Sequence, residues 1–235
     1  MNINFSIIIP IYNEEESIFL LLEEIKKVFL NKNPEILIIN DGSNDNFLIK
    51  FNKKKYSKNN VRVINHETNM GKCKAMLTGV KQAKYNLISV LDGDGQNPPF
   101  EIKNLINQWN KERRKSFLLV CGNRIKRRDT MLKKISSKFA NLVRKSFLKD
   151  ECNDTACALK IFQKNDYLKL PYFKNMHRFL PALFKMKKGK IVNVMVEDRV
   201  RLNGVSKFNF NNRFWVGIID LLKVWLLINR RRKQL

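Results

Sequence analysis

Short apolar runs alternate with amphipathic segments along the first half of the chain. The runs are four to seven residues long and rich in β-branched side chains, a pattern typical of strands that are covered on both faces. They lie at residues 5–11, 36–39, 61–64, 87–91 and 117–121. Because helical periodicity separates several of the runs, the alternation predicts a parallel sheet with helices on both faces.

The first amphipathic segment begins directly after the first run. Asn13 stands where a helix cap is expected, and Glu16 follows three residues later, as in a capping box. Apolar residues then recur at helical spacing at Ile18, Leu21, Leu22, Ile25, Val28 and Phe29. We also expect helices from about residue 71 to residue 83 and through Ile102, Leu105, Ile106 and Trp109.

After about residue 124 the alternation of apolar runs and amphipathic segments becomes less regular. A basic helix is expected through Leu132, Ile135, Phe139 and Leu142, followed by short strands at residues 158–162 and 191–196. No internal repeat and no Gly/Ser linker interrupts the chain, so residues 1–209 are expected to form one α/β domain.

Residues 210–235 are expected to add an amphipathic, basic helix. Its apolar stretch, residues 214–228, is shorter than the roughly 20 residues of a spanning helix and contains Asp220 and Lys223. One face would consist of Trp215, Ile218, Ile219, Leu222, Trp225 and Leu226. With the basic run at residues 230–233, this pattern is typical of a helix in a membrane interface, and a core helix that closes the domain is the alternative.

The charge of the chain narrows the class of partner. Its 46 Lys and Arg residues outnumber 21 Asp and Glu residues, giving a net charge of +25 that favours nucleic acid, an anionic membrane surface or phosphorylated substrates. The basic residues are scattered, without a recognition-helix or aromatic-basic RNA pattern, so a basic nucleic-acid-binding protein is kept only as the non-enzyme alternative. The four cysteines form no CxxC pair, and the N-terminus lacks the features of a signal peptide, which predicts reduced thiols and a cytoplasmic location.

Candidate chemistry lies where three of the apolar runs end. In an open parallel sheet, ligands bind at the carboxyl ends of the strands, and polar residues occupy these ends at residues 10–14, 40–43 and 92–99. Asp92 and Asp94 are hard oxygen ligands for Mg²⁺ or Mn²⁺ that leave coordination positions open for phosphate oxygens. Gly93 lets a phosphate approach closely, although Asp-Gly pairs also form ordinary turns.

Four motifs together resemble the family 2 glycosyltransferases of the GT-A fold. They are PIYNE at residues 10–14, NDGS at 40–43, NMGK at 69–72 and DGD at 92–94, in the family's order and spacing. Within the family, the chain looks most like the polyprenyl-phosphate glycosyltransferases, the dolichol-phosphate mannosyltransferase group. That similarity rests on QNPP at 96–99, GNR at 122–124 and RLNGVSKF at 201–208. The resemblance implies a Rossmann-like, mostly parallel sheet.

The resemblance also implies roles for individual residues. The nucleotide-sugar donor would contact Pro10, Tyr12, Glu14, Asp41, Lys72, Asp92 and Gly93. The metal would be held by Asp92, Asp94 and Gln96. The acceptor phosphate would contact Arg124, Lys133, Ser137, Arg201, Ser206 and Lys207. Asp154 falls near the reacting sugar and, with Asp92 and Asp94, would complete the catalytic carboxylates. Two positions depart from the usual pattern, because Lys133 replaces an Arg and Cys73 replaces a Gly.

The activity implied by the resemblance is inverting, metal-dependent transfer of a sugar from GDP-mannose or a UDP-sugar to a dolichyl or undecaprenyl phosphate. Such an enzyme would work peripherally at the cytoplasmic face of the membrane. The alternative is an enzyme of the same family that transfers sugar to a saccharide hydroxyl in surface polysaccharide or lipopolysaccharide assembly. A hydroxyl acceptor would require a carboxylate base, for which Asp154 is the candidate. The sequence leaves the sugar, the base and the oligomeric state open.

Overall fold

The computed structural model describes residues 3–53, 60–112, 117–125, 144–201 and 210–232. Within these ranges seven strands form a mixed sheet in the order β3-β2-β1-β4-β6-β5-β7. The strands are β1 (Phe5–Ile11), β2 (Glu35–Asp41), β3 (Val61–His66), β4 (Leu87–Val90), β5 (Leu118–Arg124), β6 (Lys160–Gln163) and β7 (Lys190–Val196). Each strand predicted from the apolar runs is present, with the same ends for β1 and with ends that differ by at most three residues for the others.

The sheet is mostly parallel, as predicted. Strand β1 pairs in parallel with β2 and β4, β2 with β3, and β5 with β7. Strand β6 is inserted antiparallel between β4 and β5. The carboxyl ends of β1, β2 and β4 therefore lie side by side, which places the three polar strand ends along one edge of the sheet.

The helices have the bounds α1 (Glu15–Val28), α2 (Phe47–Lys53), α3 (Lys72–Gln82), α4 (Glu101–Glu112), α5 (Lys164–Leu168), α6 (Leu180–Met186) and α7 (Phe210–Arg232), with a 3₁₀ turn at Met176–Arg178. Successive side chains of β1 enter different cores: Ile7 and Ile9 pack with the buried residues of α1 and α4, and Ile8 packs with those of α3. Helices thus cover both faces of the sheet, and both cores bury the strands completely enough to explain their continuous apolar sequences.

The start of α1 differs from the prediction. Its N-cap is Glu14 and carries no side-chain capping bond, so the expected capping box at Asn13 is wrong. Asn13 instead has a positive φ of 54°, accepts a hydrogen bond from the Asn44 N–H at 2.7 Å and donates its own N–H to the Ser43 hydroxyl at 2.9 Å. Asn13 therefore joins the loop after β1 to the loop after β2, and this long-range contact replaces the local cap. Helix α2 was not predicted.

Helix α7 packs on the domain through one face. Val224 and Ile228 are buried against Phe179 and Ala182, and the buried Asp220 carboxylate accepts a hydrogen bond from Asn175 at 2.9 Å. Among the α7 side chains that the structure describes, which do not include Trp215 and Ile218, four large apolar ones are exposed: Ile219, Leu222, Trp225 and Leu226. Among the described residues, no helix has the length and apolar character needed to cross a bilayer. The predicted basic helix through Leu132 and Phe139 lies outside the described residues.

Candidate active site

Two carboxylates stand directly after the buried strand β4. Asp94 is only 6% exposed and accepts a hydrogen bond from the Gln96 N–H at 3.1 Å. Gly95 has a φ of +71°, a conformation that favours glycine, and turns the loop so that this contact can form. A Cβ at Gly93 would lie 2.6 Å from the Ile11 side chain, so glycine lets the loop pack against the end of β1. The loop is therefore held close to the sheet edge.

Two cations face the acidic pair from different parts of the chain. The Lys72 ammonium, at the start of α3, lies 2.5 Å from Asp92, and the Arg201 guanidinium, beyond β7, lies 3.2 Å from Asp94. Arg201 also lies 3.9 Å from the Glu14 carboxylate, at the end of β1. The structure thus brings together residues from four of the motifs identified in the sequence, which lie up to 187 positions apart.

The environment of Asp94 opposes its negative charge. Burial raises the pKa of the Asp94 carboxyl above its usual value, and the nearby Asp92 carboxylate raises it further. The hydrogen bond from Gln96 and the charges of Arg201 and Lys72 act in the opposite direction but do not cancel the increase. A positive charge placed between the two carboxylates would relieve this repulsion.

The donor set at this loop fits a hard divalent cation. Magnesium is commonly held by one or two protein carboxylates together with substrate phosphates, and Asp92 and Asp94 supply two such carboxylates. No cluster of three or more His, Cys, Asp or Glu side chains within the described ranges forms a ready metal cage. The pair therefore suits a metal that also binds phosphate oxygens. Gln96 is on the same loop, and its role as a third ligand stays a prediction.

The rim of the site contains the residues expected to contact the nucleotide. Pro10 lies in β1, and Tyr12 and Glu14 follow that strand, with the Tyr12 side chain 37% exposed. Asp41, at the end of β2, is buried, and its two oxygens accept hydrogen bonds from the Met70 N–H at 3.0 Å and the Gly71 N–H at 2.7 Å. Asp41 therefore also fixes the loop that leads to Lys72.

A second ion pair lies at the end of β5. Arg124 donates from Nε and Nη2 to the two oxygens of the buried Asp154 at 2.7 and 3.1 Å. Burial lowers the pKa of the Arg124 guanidinium, but the bond and charge of Asp154 outweigh burial and raise it overall. The Arg124 side chain is 14% exposed, against 23% for Arg201. Arg124, which the sequence assigned to the acceptor phosphate, and Asp154, which it assigned to the reacting sugar, are therefore partners in one ion pair.

Sequence reasoning missed a cation that anchors the segment after β7. Arg199 donates from Nε to the Gly95 carbonyl at 2.6 Å and forms two bonds with the Glu24 carboxylate of α1 at 3.0 and 2.6 Å. Its backbone N–H donates to the Gln96 carbonyl at 3.0 Å. These contacts hold the segment that carries Arg201 against the loop that carries Asp94. No local motif marks this tertiary contact.

Four of the predicted acceptor residues lie outside the described residues: Lys133, Ser137, Ser206 and Lys207.

Cys73, which stands where the family pattern usually has glycine, is the second residue of α3 and is buried. Its thiol lies 2.9 Å from His177 Nδ1 and accepts the His177 N–H at 3.3 Å. Cys73 therefore fastens the start of α3 to the 3₁₀ turn.

Comparison with solved structures shows the fold. A glucosyl-3-phosphoglycerate synthase of Mycobacterium tuberculosis, crystallised with Mn²⁺, UDP and glucosyl-3-phosphoglycerate, superposes with a TM-score of 0.70 at 14% identity. The match covers 96% of this chain and 79% of that one. The same protein crystallised with Mg²⁺ and UDP also gives a TM-score of 0.70. The GT-A fold predicted from the motifs is confirmed.

Sequence comparison identifies curated relatives whose names describe sugar transfer. The chain is 30% identical to a dodecaprenyl-phosphate galacturonate synthase of Rhizobium johnstonii, over 99% of this chain and 69% of the relative. It is also 30% identical to an undecaprenyl-phosphate 4-deoxy-4-formamido-L-arabinose transferase of Photorhabdus laumondii, over 87% of this chain and 63% of the relative. The chain thus spans about two thirds of the length of these relatives. The family model described as glycosyl transferase family 2 matches residues 6–170, and the chain therefore belongs to that family, as its motifs predicted.

Proposed function

We propose that this protein transfers a sugar, with inversion, from a nucleoside-diphosphate sugar to a polyprenyl phosphate, using a divalent metal. The observation that carries the proposal is the contact of Arg201 with Asp94 at 3.2 Å. This contact places a cation expected to bind the acceptor phosphate against a carboxylate expected to bind the metal. The names of the two relatives, which describe sugar transfer to dodecaprenyl and undecaprenyl phosphate, support the same acceptor class.

The donor would bind along the edge formed by β1, β2 and β4. Tyr12 offers an exposed ring for the base, and Asp92 and Asp94 would hold Mg²⁺ or Mn²⁺ together with the diphosphate. When bound, the metal would act as a Lewis acid that stabilises charge on the departing diphosphate. Lys72, 2.5 Å from Asp92, is close enough to the same position to add a second positive charge.

The acceptor would need little activation. The second pKa of a phosphate monoester is about 6, so a lipid phosphate is already a dianion for the most part at neutral pH and attacks without a strong general base. The task of the protein is then to orient this nucleophile, for which Arg201 presents a planar set of N–H donors next to Asp94. Arg124 and, outside the described residues, Lys133 and Lys207 stay predictions for the same role.

The pairing of Asp154 argues against the alternative acceptor. A saccharide hydroxyl must lose its proton during attack, which requires a free carboxylate within reach. Both Asp154 oxygens already accept hydrogen bonds from Arg124, and the side chain is buried. Asp154 is therefore better suited to hold Arg124 in position than to act as a base.

The substitution Asp154→Asn tests the choice between the two acceptor classes. Loss of a general base typically costs 10²–10⁴-fold in rate, whereas we expect Asp154→Asn to retain transfer to undecaprenyl phosphate within about tenfold. The assay compares kcat for the lipid phosphate and for a saccharide acceptor at equal amounts of folded protein, checked by thermal melting. A loss of more than about 100-fold with the lipid phosphate would contradict the claim that this acceptor needs no general base, and transfer by the unsubstituted protein only to the saccharide would favour the hydroxyl-acceptor alternative.

We also propose that the exposed apolar face of α7 rests on an anionic membrane at the cytoplasmic side. Ile219, Leu222, Trp225 and Leu226 are spaced three and four residues apart, as on one side of a helix, while the opposite side packs on the domain. Lys223 and Arg230 are exposed on the same helix and could contact lipid phosphates. Both readings of this helix from the sequence thus have support, because one face is core and the other is available for lipid.

A further inference from the structure

His66 occupies a position between the nucleotide rim and helix α3 that no motif predicted. It ends β3 and stands beside Asp41 in the register of β2 and β3. His66 Nδ1 lies 2.7 Å from Asp41 Oδ1, and Nε2 lies 2.9 Å from the Thr78 hydroxyl of α3. Because a carboxylate only accepts hydrogen bonds, Nδ1 carries a proton and donates it to Asp41. In the neutral ring, Nε2 then accepts the Thr78 hydroxyl proton.

The His66 and Asp41 side chains are shielded from water. They are 8% and 4% exposed, and a hydrogen bond to a charged group is about twice as strong as one between neutral groups. The hydrogen bond between Thr78 and Nε2 fixes the plane of the imidazole, and Nδ1, on the other side of the ring, holds the Asp41 carboxylate. The ring therefore determines the orientation of the Asp41 carboxylate, in the way that an outer hydrogen-bond partner orients a ligand.

The carboxylate fixed by His66 in turn holds the loop before α3. Asp41 accepts the Met70 N–H on Oδ1 and the Gly71 N–H on Oδ2. On the same side, a Cβ at Gly42 would lie 2.5 Å from the Thr68 backbone, so the two loops are in close contact. Lys72 follows Gly71 directly and reaches Asp92 at 2.5 Å. Contacts thus run from Thr78 through His66, Asp41 and the loop to the cation beside the acidic pair.

We propose that His66 is a positioning residue for the donor diphosphate: by orienting Asp41, it fixes the loop at residues 67–71 and the location of Lys72 beside Asp92. This inference rests on the proposed function in one respect, the assignment of the diphosphate to the acidic pair. The loop-fixing part follows from the contacts alone. The two parts therefore call for two measurements.

Amide hydrogen exchange of the protein without nucleotide tests the loop-fixing part. His66→Phe removes the donor to Asp41, and we expect faster exchange at the Met70 and Gly71 amides. His66→Asn keeps an N–H donor near the position of Nδ1 and should restore much of the protection. The Asn44 amide, held by Asn13, is the internal control and should not change. Unchanged exchange at Met70 and Gly71 in His66→Phe would overturn the proposal.

Equilibrium binding of UDP and of GDP in the presence of Mn²⁺ tests the donor part. We expect His66→Phe to weaken binding about tenfold, the lower end of the loss seen when an outer partner of a metal ligand is removed. In a Lys72→Ala background the same change should have a smaller effect, because the part of it that acts through Lys72 is already lost. Met76→Ala, a buried change in α3 that leaves the His66 contacts in place, controls for a general loss of stability.

The binding results separate the two proposals. Equal affinity of His66→Phe and the unsubstituted protein, or full additivity with Lys72→Ala, would overturn the positioning role while leaving the proposed function intact. Failure of the unsubstituted protein to bind either nucleotide with Mn²⁺ would contradict the proposed function and the donor part of the inference together. The exchange result would still decide whether His66 fixes the loop.

Discussion

At Asp94 the requirements of stability and of function oppose each other. Burial and the adjacent Asp92 raise the pKa of this carboxyl, so the folded protein binds a proton there more readily than the unfolded chain does. The resulting contribution to stability is complete below the pKa of the unfolded carboxyl and is lost as the pH rises through the folded pKa. At neutral pH the ionised Asp94 is therefore a destabilising group that a bound cation would compensate.

The substitution Asp94→Asn should stabilise the metal-free protein at neutral pH. An amide of the same shape removes the repulsion from Asp92, and we expect a melting temperature a few degrees higher, at about 2–4 °C per kcal/mol for a domain of this size. The difference should shrink as the pH falls through the raised pKa of Asp94 and should be gone below about 4, where ordinary aspartates are protonated as well. Differential scanning calorimetry measures the difference in melting temperature at pH 7 and its change with pH. Glu67→Gln, which removes one negative charge at an exposed position, is the charge-matched control. A lower melting temperature for Asp94→Asn at pH 7 would contradict this account of the site.

Some site residues could be predicted from the sequence because the pattern that marks them lies within one short segment of the chain. Asp92 and Asp94 follow an apolar strand at a fixed spacing, and Asp41 follows another, so strand ends and motifs are sufficient to find them. The roles of Arg199 and His66 depend on contacts between residues that are distant in the sequence, such as Arg199 with Glu24 and His66 with Thr78. Spacing within one segment carries no information about these contacts, so the sequence did not predict them.

At the scale of elements, strands were easier to predict than the ends of helices. A strand buried on both faces must be apolar along its length, and β1 and β2 are visible in the sequence for that reason. The predicted cap of α1 was wrong because Asn13 binds the loop after β2 instead of its own helix. Helix α2 is only seven residues long and is too short to produce a clear periodic pattern.

Helix α7 carries the prediction that concerns the membrane. Leu226→Glu places a negative charge on its exposed face, and we expect binding to anionic vesicles of phosphatidylglycerol and phosphatidylcholine to fall by about 10- to 100-fold, since a buried Leu side chain contributes about 1.5–3 kcal/mol. Leu20→Glu is the matched control, because Leu20 and Leu226 are both 48% exposed and Leu20 lies on α1, which covers the other face of the sheet. Vesicle cosedimentation measures the binding. Equal binding by the two variants would refute the membrane contact through α7.

At the scale of the whole molecule, charge and fold favour the same kind of ligand. The net charge of +25 favours polyanions, and the sheet gathers Lys72 and Arg201 at the edge where two carboxylates would hold a metal. Cations and carboxylates meeting at one strand edge suit a substrate that is itself a phosphate and is bound through metal. Net charge alone would favour nucleic acid equally well, and it is the fold that concentrates the charge around a site for a small anionic group.

The most direct test of this account is a transfer assay with undecaprenyl phosphate in detergent, using a panel of UDP- and GDP-sugars and Mn²⁺. We expect a glycosylated lipid phosphate with at least one donor, lost on addition of EDTA and reduced at least 100-fold in Asp94→Asn, which should remain folded. Mass spectrometry of the lipid product measures the outcome. Equal product formation in EDTA, undiminished transfer by Asp94→Asn, or transfer only to a saccharide hydroxyl would contradict the central claim.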